Sequence, residues 1–441
     1  MHVVMFADQH LESLGGAQVS MRLQKRFLER AGHIVTVVAP GLHRDAPGNA
    51  GYLDLPSIAI TPDREYALTW PGARTDRFLD AQMGARLPVD VVHVQADFWG
   101  AFIGHRYAAR HGLPVVHTMH NRVDVGIEAT APFPGLVLRA LNAWARTALK
   151  PAAAASRSRS RTTAPTSDPG GDLRASRDAP SSGATVPSTG APRPRERDAV
   201  RRADGWAYLR RLAALSSAVT APSGHFARRL ERHGVAPAVD VIWNGIDDDV
   251  LDAALVAGPL ERRPGRPRFV WLGRMSPEKR LLPFLEAVAA SGIDAEVEII
   301  GGGGQLRAAR RIVERRTPTA TVTFAGRLPY AETLRRLADA DAVVQTSIGF
   351  ETQGMTVFEA ASLGTPAVVS DPDIAAELGS GTWTVADATL AALAETLRRA
   401  SADITAGSPV TPDPSVAERF RQSSRTAAMV AVYGRAVAAG R

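Results

Sequence analysis

At 441 residues the chain exceeds the size at which one hydrophobic core stops growing, and its 45% apolar content supports folding, so two domains are expected. It contains no cysteine, which excludes disulfides, cysteine-ligated metals and a thiolate nucleophile. The net charge of +7 does not mark the chain as a nucleic-acid binder: residues 151–202 hold ten arginines against five acids, so one segment carries five of the seven charges.

The chain opens on Met1-His2-Val3-Val4-Met5-Phe6-Ala7-Asp8, which has neither a basic leader nor a small-residue cleavage site. No apolar run reaches the roughly 18 residues needed to cross a bilayer, so the expectation is a cytoplasmic protein that begins on a strand. Short β-branched runs then alternate with amphipathic runs of helix length, the pattern of a parallel sheet with helices on both faces. In the first half, residues 3–7, 34–39, 91–94, 115–118 and 218–221 read as strands. Leu14-Gly15-Gly16 follows the first of them and leads into a helix whose Val19, Leu23 and Phe27 share one face. Such a turn is either a tight strand-to-helix corner or a place where phosphate meets backbone N–H groups. His93, His117 and His120 lie in or after the third and fourth strands. His120 is the best placed, either to meet a sugar hydroxyl or simply to satisfy loop carbonyls.

Residues 151–202 are rich in Arg, Ser, Pro and Ala with almost no large apolar side chain, and are expected to be a disordered insert. The helical spacing on either side, 136–150 and 206–215, makes it an excursion from a helical region. The hinge is expected around His233–Asp249, where a strand at 239–243 runs into the turn signal Asn244-Gly245-Ile246-Asp247. The second half repeats the scheme, with strands at 269–272, 297–300, 321–324, 342–346 and 367–370. The domains are therefore drawn as 1–150 with 203–235, then 236–415, with a helix in 416–441 returning to the first domain.

Ligands of such sheets bind beyond the carboxyl ends of the strands. Arg274 and Lys279 flank the turn after the first strand of the second half, and are either a solvated basic turn or two cations for a diphosphate. Gly301-Gly302-Gly303-Gly304 and Gly326-Arg327-Leu328 follow the next two strands. After the fourth comes Gly349-Phe350-Glu351-Thr352-Gln353-Gly354-Met355-Thr356-Val357-Phe358-Glu359. Its apolar spacing starts a helix near Met355, which leaves Glu351 in the loop and puts Glu359 about one turn inside. The amides of Gln353, Gly354, Met355 and Thr356 then face a ligand between two carboxylates, a combination that suits a sugar nucleotide.

Taken together, Gly15-Gly16, Asp90-Val91-Val92-His93, Val116-His117-Thr118-Met119-His120, Asn244-Gly245-Ile246-Asp247, Gly273-Arg274 with Glu278-Lys279, and Glu351 with Glu359 resemble the family 4 retaining glycosyltransferases. The resemblance implies the α/β GT-B fold, two Rossmann-like doubly wound domains facing across a cleft. It implies that Arg274 and Lys279 bind the donor diphosphate, Glu359 the ribose and Glu351 the transferred sugar, with Arg327 and Leu328 on the donor side and Gly15 and Gly16 bordering the diphosphate. His120 would lie beside the reacting carbon, and no metal or other cofactor would be needed. The run Glu351 to Thr356 and the opening Phe6-Ala7-Asp8 are similar to diacylglycerol glucosyltransferases and their mannosyl relatives. The implied partners are a nucleotide-sugar donor (UDP-glucose first, GDP-mannose as the alternative), a lipid or glycan acceptor, and an anionic membrane surface, with no nucleic acid. The implied location is cytoplasmic, peripheral on the inner face of the cell membrane. An epimerase of the same fold and a non-catalytic scaffold are disfavoured by the full Arg274, Lys279, Glu351 and Glu359 set. The chain departs from the family at Gly301–Gly304, where an acidic residue often follows the first glycine.

Overall fold

The computed structural model describes residues 1–13, 16–44, 49–130, 133–162, 204–257 and 265–440. Gly15 and residues 163–202, most of the expected insert, therefore lie outside the described residues. Fifteen strands are described: β1 His2–Ala7, β2 Ile34–Pro40, β3 Tyr52–Leu55, β4 Ile58–Ala59, β5 Ala67–Leu68, β6 Val91–Gln95, β7 Val115–Thr118, β8 Ala218–Ala221, β9 Asp240–Val241, β10 Arg268–Arg274, β11 Glu296–Gly302, β12 Thr321–Gly326, β13 Ala342–Gln345, β14 Ala367–Val369 and β15 Thr382–Thr384. They form a seven-stranded sheet in the order β3-β2-β1-β6-β7-β8-β9 and a six-stranded sheet in the order β12-β11-β10-β13-β14-β15. Every pair in both is parallel, and β4 with β5 makes a separate antiparallel hairpin.

Each strand order reverses once, between β1 and β6 and between β10 and β13, and the crevice beyond those carboxyl ends is where such sheets take ligands. The chain is thus two doubly wound α/β domains, as the alternating pattern implied. Helices cover both faces, so central strands are mostly apolar and consecutive residues go to opposite cores. In β1, Val4 and Phe6 pack with Phe102 and Tyr208, while Val3 and Met5 pack with Met429, Val432 and Tyr433.

Those last three residues belong to the helix Gln422–Ala439, which returns to the first domain. The preceding helix Ser415–Phe420 stays with the second, where the Phe420 ring stacks on Phe358 at 4.7 Å. The crossing is fixed where Ile246 bridges to Arg421.

The helix Pro134–Thr162 runs twelve residues beyond Lys150, so the segment drawn as a disordered insert begins as helix. Two causes are visible. Ala152 is buried beside Leu149, and Ala152–Ala155 is a run of the strongest helix former, which outweighs Pro151. Among the described residues no helix is long and apolar enough to cross a membrane.

The domains meet through a carboxylate set on a helix end. Glu377 accepts from the backbone N–H of Gly224 at 2.5 Å and His225 at 2.7 Å, the first residues of the helix Gly224–Arg232, and from Trp243 Nε1 at 3.0 Å. Burial pushes this carboxyl up, but the hydrogen bonds from His225, Gly224 and Trp243 together outweigh it and hold its pKa at about 2. Arg229 pairs with Asp373 at 3.0 Å beside it, and Arg30 with Asp249 at 2.8 Å on the far side of the cleft.

The folded carboxyl titrates below its ordinary value of 4.5. Its contribution is therefore complete above pH 4.5 and is lost as pH falls toward 2. We expect Glu377→Gln to cost about 1.5–3 kcal/mol at pH 7, the range for a charged hydrogen-bond acceptor. Urea denaturation should show the gap from wild type closing between pH 4.5 and about 2.

Candidate functional site

At the carboxyl end of β10 the chain turns through the short 3₁₀ segment Pro277–Lys279 into the helix Leu281–Ser291. The carbonyl of Lys279 accepts from Thr346 Oγ1 at 2.6 Å, and that hydroxyl in turn accepts from Trp271 Nε1 at 2.9 Å, which ties the turn to the end of β13. The Lys279 ammonium meets the Glu351 carboxylate, whose same oxygen accepts from Ser347 Oγ at 2.8 Å. Gly354 precedes the helix Met355–Ser362 with φ +81°, a conformation that favours glycine, and turns the first amides of that helix toward the same hollow. Lys279, Ser347, Glu351 and residues 352–356 line this cavity of about 230 Å³.

Of the expected site residues, Lys279, Glu351, Gly354, Met355 and Thr356 thus converge, while others sit apart. Arg274 is 68% exposed and bonds to Glu278 at 2.8 Å, on the rim of the cavity's turn and not among its lining. Gln353 is buried with its amide paired to Asn244, accepting from its backbone N–H at 3.0 Å and side chain at 2.7 Å and donating to its carbonyl at 3.1 Å. Its side chain braces the loop beside the cavity. Glu359 is buried one turn inside the helix and accepts from Tyr330 OH at 2.9 Å, and burial raises its pKa. Tyr330 also borders a larger hollow of about 440 Å³, shared with Arg22, Arg26 and Asp247 between the domains.

The glycine run after β11 is required by geometry. Gly301 has φ +128°, and a Cβ there would stand 2.0 Å from the carbonyl oxygen of Gly273 in β10. Arg327 is exposed and lies across Gly302, whereas Leu328 packs partly into the second domain's core. Gly16 starts the helix Gly16–Arg30.

Across the cleft, His120 bonds through Nε2 to Gln95 Oε1 at 3.1 Å, and burial lowers its pKa to about 4, so the ring is neutral near pH 7. The other two histidines are structural. His93 is fully buried between Thr118 Oγ1 at 2.7 Å and Tyr433 OH at 2.6 Å, and His117 between the Ala96 carbonyl at 3.0 Å and His105 at 3.2 Å.

Several groups escaped the sequence reading. Asp8 accepts from the backbone N–H groups of Asp97 at 2.8 Å, Phe98 at 3.0 Å and Gly100 at 2.8 Å, and Asp97 accepts from Asn121 Nδ2 at 2.6 Å. Burial pushes Asp8 up to about 6 and, with Asp8 beside it, Asp97 up to about 7. Their position directly after β1 and β6, the two strands at the sheet's switch point, was the available signal. From the first domain, Arg122 Nη1 donates to the Gly349 carbonyl at 2.7 Å, Ser223 Oγ to the Thr352 carbonyl, and His225 Nε2 lies 3.3 Å from the Glu351 carbonyl. No local motif announces such contacts, because each depends on how the two domains meet.

Two family models match the sequence: Glycosyltransferase Family 4 over residues 14–187 and Glycosyl transferases group 1 over residues 258–403. Among solved structures, HepE of Anabaena in complex with UDP and glucose superposes with a TM-score of 0.60 at 14% identity, over 98% of this chain and 99% of its own. Sucrose-phosphate synthase from Thermosynechococcus elongatus gives 0.58 at 15%, over 100% and 97%. The apo form of the lipopolysaccharide outer core galactosyltransferase WaaB gives 0.59 at 14%, over 98% and 99%. No curated protein matches this sequence. At these identities the likeness to solved structures concerns the fold.

The backbone conflict at Gly301 and the open space around Gly304 make a paired test. Gly301→Ala should cost about 3 kcal/mol or more, from positive-φ strain and overpacking together. Gly304→Ala should stay within about 0.5 kcal/mol in the same denaturation assay.

Proposed function

The chain belongs to the family 4 glycosyltransferases and has the GT-B fold, and from that premise we propose that it moves a hexose from a nucleoside diphosphate sugar, UDP-glucose first, to a hydroxyl acceptor with retention of configuration. The observation that carries this reading is the convergence of Lys279, Glu351 and the N-terminus of the helix Met355–Ser362 on one cavity at the carboxyl end of β13.

In this reading the donor diphosphate lies against the Lys279 ammonium and the amides of Met355 and Thr356. Arg274 reaches it by leaving Glu278, a swing that its solvent-exposed, flexible side chain allows. A cation and a helix end aimed at the leaving group stabilise the charge that grows on it, and do so without a metal. Glu351 accepts hydroxyl protons of the sugar, exchanging its contact with Lys279 for contacts to the donor. Glu359, with one oxygen already held by Tyr330, offers the other to the ribose diol.

Retention follows from attack on the face that the diphosphate leaves. The bond from the anomeric carbon to the phosphate oxygen breaks, the acceptor oxygen bonds to that carbon from the same side, and the acceptor proton passes to a phosphate oxygen. Glu351 positions the sugar in this scheme, its Oε1 held by Lys279 and Ser347 before the donor enters, and forms no bond to the anomeric carbon. Neutral His120 can share a hydrogen bond with a sugar or acceptor hydroxyl without adding charge. The acceptor proposed is a membrane lipid with a free hydroxyl, taken up from the cytoplasmic face.

Thermal stability with UDP-glucose, UDP-galactose, UDP-N-acetylglucosamine and GDP-mannose tests the donor. At a hundredfold excess over Kd the true donor adds about 2.7 kcal/mol, and UDP-glucose should give the largest shift. A shift with GDP-mannose alone would replace it by the mannosyl reading, and no shift with any of the four overturns the proposal. Glu351→Ala should lower kcat/KM about 10²–10³-fold, the scale of losing one transition-state contact, while UDP alone binds as before. A scaffold would have no turnover to lose.

A further inference from the structure

We propose that Gln95 is a positioning residue for His120: its side-chain carbonyl holds the proton of that ring on Nε2, which leaves Nδ1 as a bare hydrogen-bond acceptor on the cleft wall. The purpose of this arrangement rests on the transferase reading above; the arrangement itself rests on a buried hydrogen-bond network.

The strand β6 reads Val-Val-His-Val-Gln, so the side chains of His93 and Gln95 fall on one face, and both are buried. Polar groups in a strand enclosed on both sides need partners, and a network of them is stable only when its members are satisfied. Here the partners come from β7, β8 and two helices. Tyr433 OH lies 2.6 Å from His93 Nδ1, His93 Nε2 lies 2.7 Å from Thr118 Oγ1, and that hydroxyl lies 2.6 Å from Thr220 Oγ1. Gln95 Nε2 donates to Gln24 Oε1 at 2.5 Å and stands 3.5 Å from His93 Nδ1, while Gln95 Oε1 meets His120 Nε2 at 3.1 Å.

The direction of these bonds is set from the Tyr433 end. A phenol is a more acidic donor than an aliphatic hydroxyl and a poorer acceptor. The Tyr433 hydroxyl is fully buried and has no other partner among the described residues, so it donates to His93 Nδ1. The His93 proton is then on Nε2 and goes to Thr118, which donates in turn to Thr220. With a lone pair on His93 Nδ1, the Gln95 amide turns its NH2 toward His93 and Gln24 and its oxygen toward His120. The reverse orientation would set the amide oxygen against that lone pair. A carbonyl oxygen only accepts, so His120 Nε2 carries the proton.

A neutral imidazole has one N–H, and burial keeps this ring neutral near pH 7. His120 Nδ1 is therefore bare, and it has no partner among the described residues. The ring follows β7, two residues before Arg122, whose guanidinium reaches the Gly349 carbonyl of the second domain. It thus stands beside the loop that carries Glu351. A bare nitrogen there can accept from a hydroxyl and has no proton to give to a phosphate oxygen. The tautomer thereby chooses among the roles open to His120: it receives the O–H of the sugar or of the acceptor, and it does not protonate the leaving group.

Two-bond proton–nitrogen correlation spectra of the full chain, labelled with nitrogen-15 at histidine, read the tautomer directly, because bare and protonated ring nitrogens have well separated shifts. At pH 7 the His120 signals, identified by their loss in His120→Asn, should show Nε2 protonated and Nδ1 bare. Gln95→Met keeps the length of the side chain and removes the acceptor, so both tautomers should appear. In that variant kcat for release of the nucleoside diphosphate, from whichever nucleotide sugar gives the thermal shift, should fall about tenfold with KM and the shift as in wild type. Gln95→Glu retains an accepting oxygen and should bring kcat back to within about threefold of wild type. If Gln95→Met loses the thermal shift, Gln24→Leu, which frees the Gln95 amide to turn, takes its place with the same expected outcome. A His120 proton on Nδ1 in wild type, or wild-type kcat in the variant tested, overturns the role of Gln95 and leaves the transferase reading standing. No turnover and no shift with any donor in wild type, with the proton on Nε2, overturns the transferase reading and leaves the placement of the proton.

Discussion

The candidate site depends on how residues 349–354 are held. Loops after a sheet are mobile by default, and a carboxylate on a mobile loop can orient nothing. Here the loop is fixed at nearly every residue: Gly349 between Asp371 and Arg122, the carbonyls of Glu351 and Thr352 by His225 and Ser223, and Gln353 by Asn244. The Glu351 side chain is then set between Lys279 and Ser347. Three of these partners, Arg122, Ser223 and His225, come from the first domain. The position of the Glu351 carboxylate is thus a property of the two domains in contact, and opening the cleft would release one side of its support.

The same constraint explains the Glu377 contact. A buried carboxylate costs free energy unless it is hydrogen-bonded, and the N-terminus of the helix Gly224–Arg232 supplies two amides and a dipole for it. His225 serves both, with its backbone on Glu377 and its ring near the Glu351 carbonyl. Domain contact and loop geometry are therefore coupled through one residue.

Much of the fold was legible because a strand buried on both faces is apolar at most positions. Runs such as Val3–Phe6 and Ala342–Val344 leave little choice, and the central strands lie where those runs predict. The strands that escaped notice are the ones this rule does not reach. β15 has three residues, Thr-Trp-Thr, at a sheet edge, and β3 alternates buried and exposed. The hairpin β4–β5 shows its apolar residues to solvent, so its pattern has the phase of a buried face turned outward. At the site, Lys279, Glu351 and the helix start were readable from position along the chain alone. The side chain of Gln353 was not, because its partner Asn244 stands 109 residues away and belongs to the hinge. The histidines divided for the same reason: His93 is satisfied by Tyr433 from the far end of the chain, which no local spacing reveals.

The two walls of the cleft differ in charge, and the difference bears on where a donor can lie. On the second domain a lysine and a helix N-terminus face the cavity, with Arg274 at its rim. On the first, burial keeps His93 and His120 neutral near pH 7 and raises Asp8 and Asp97 toward their protonated forms. Coulomb attraction therefore favours a diphosphate on the second domain's wall, while on the first Asp8, at about 6, stays mostly ionised at pH 7 and Asp97, at about 7, about half so. Such a wall can receive a neutral hydroxyl acceptor without competing for the phosphates.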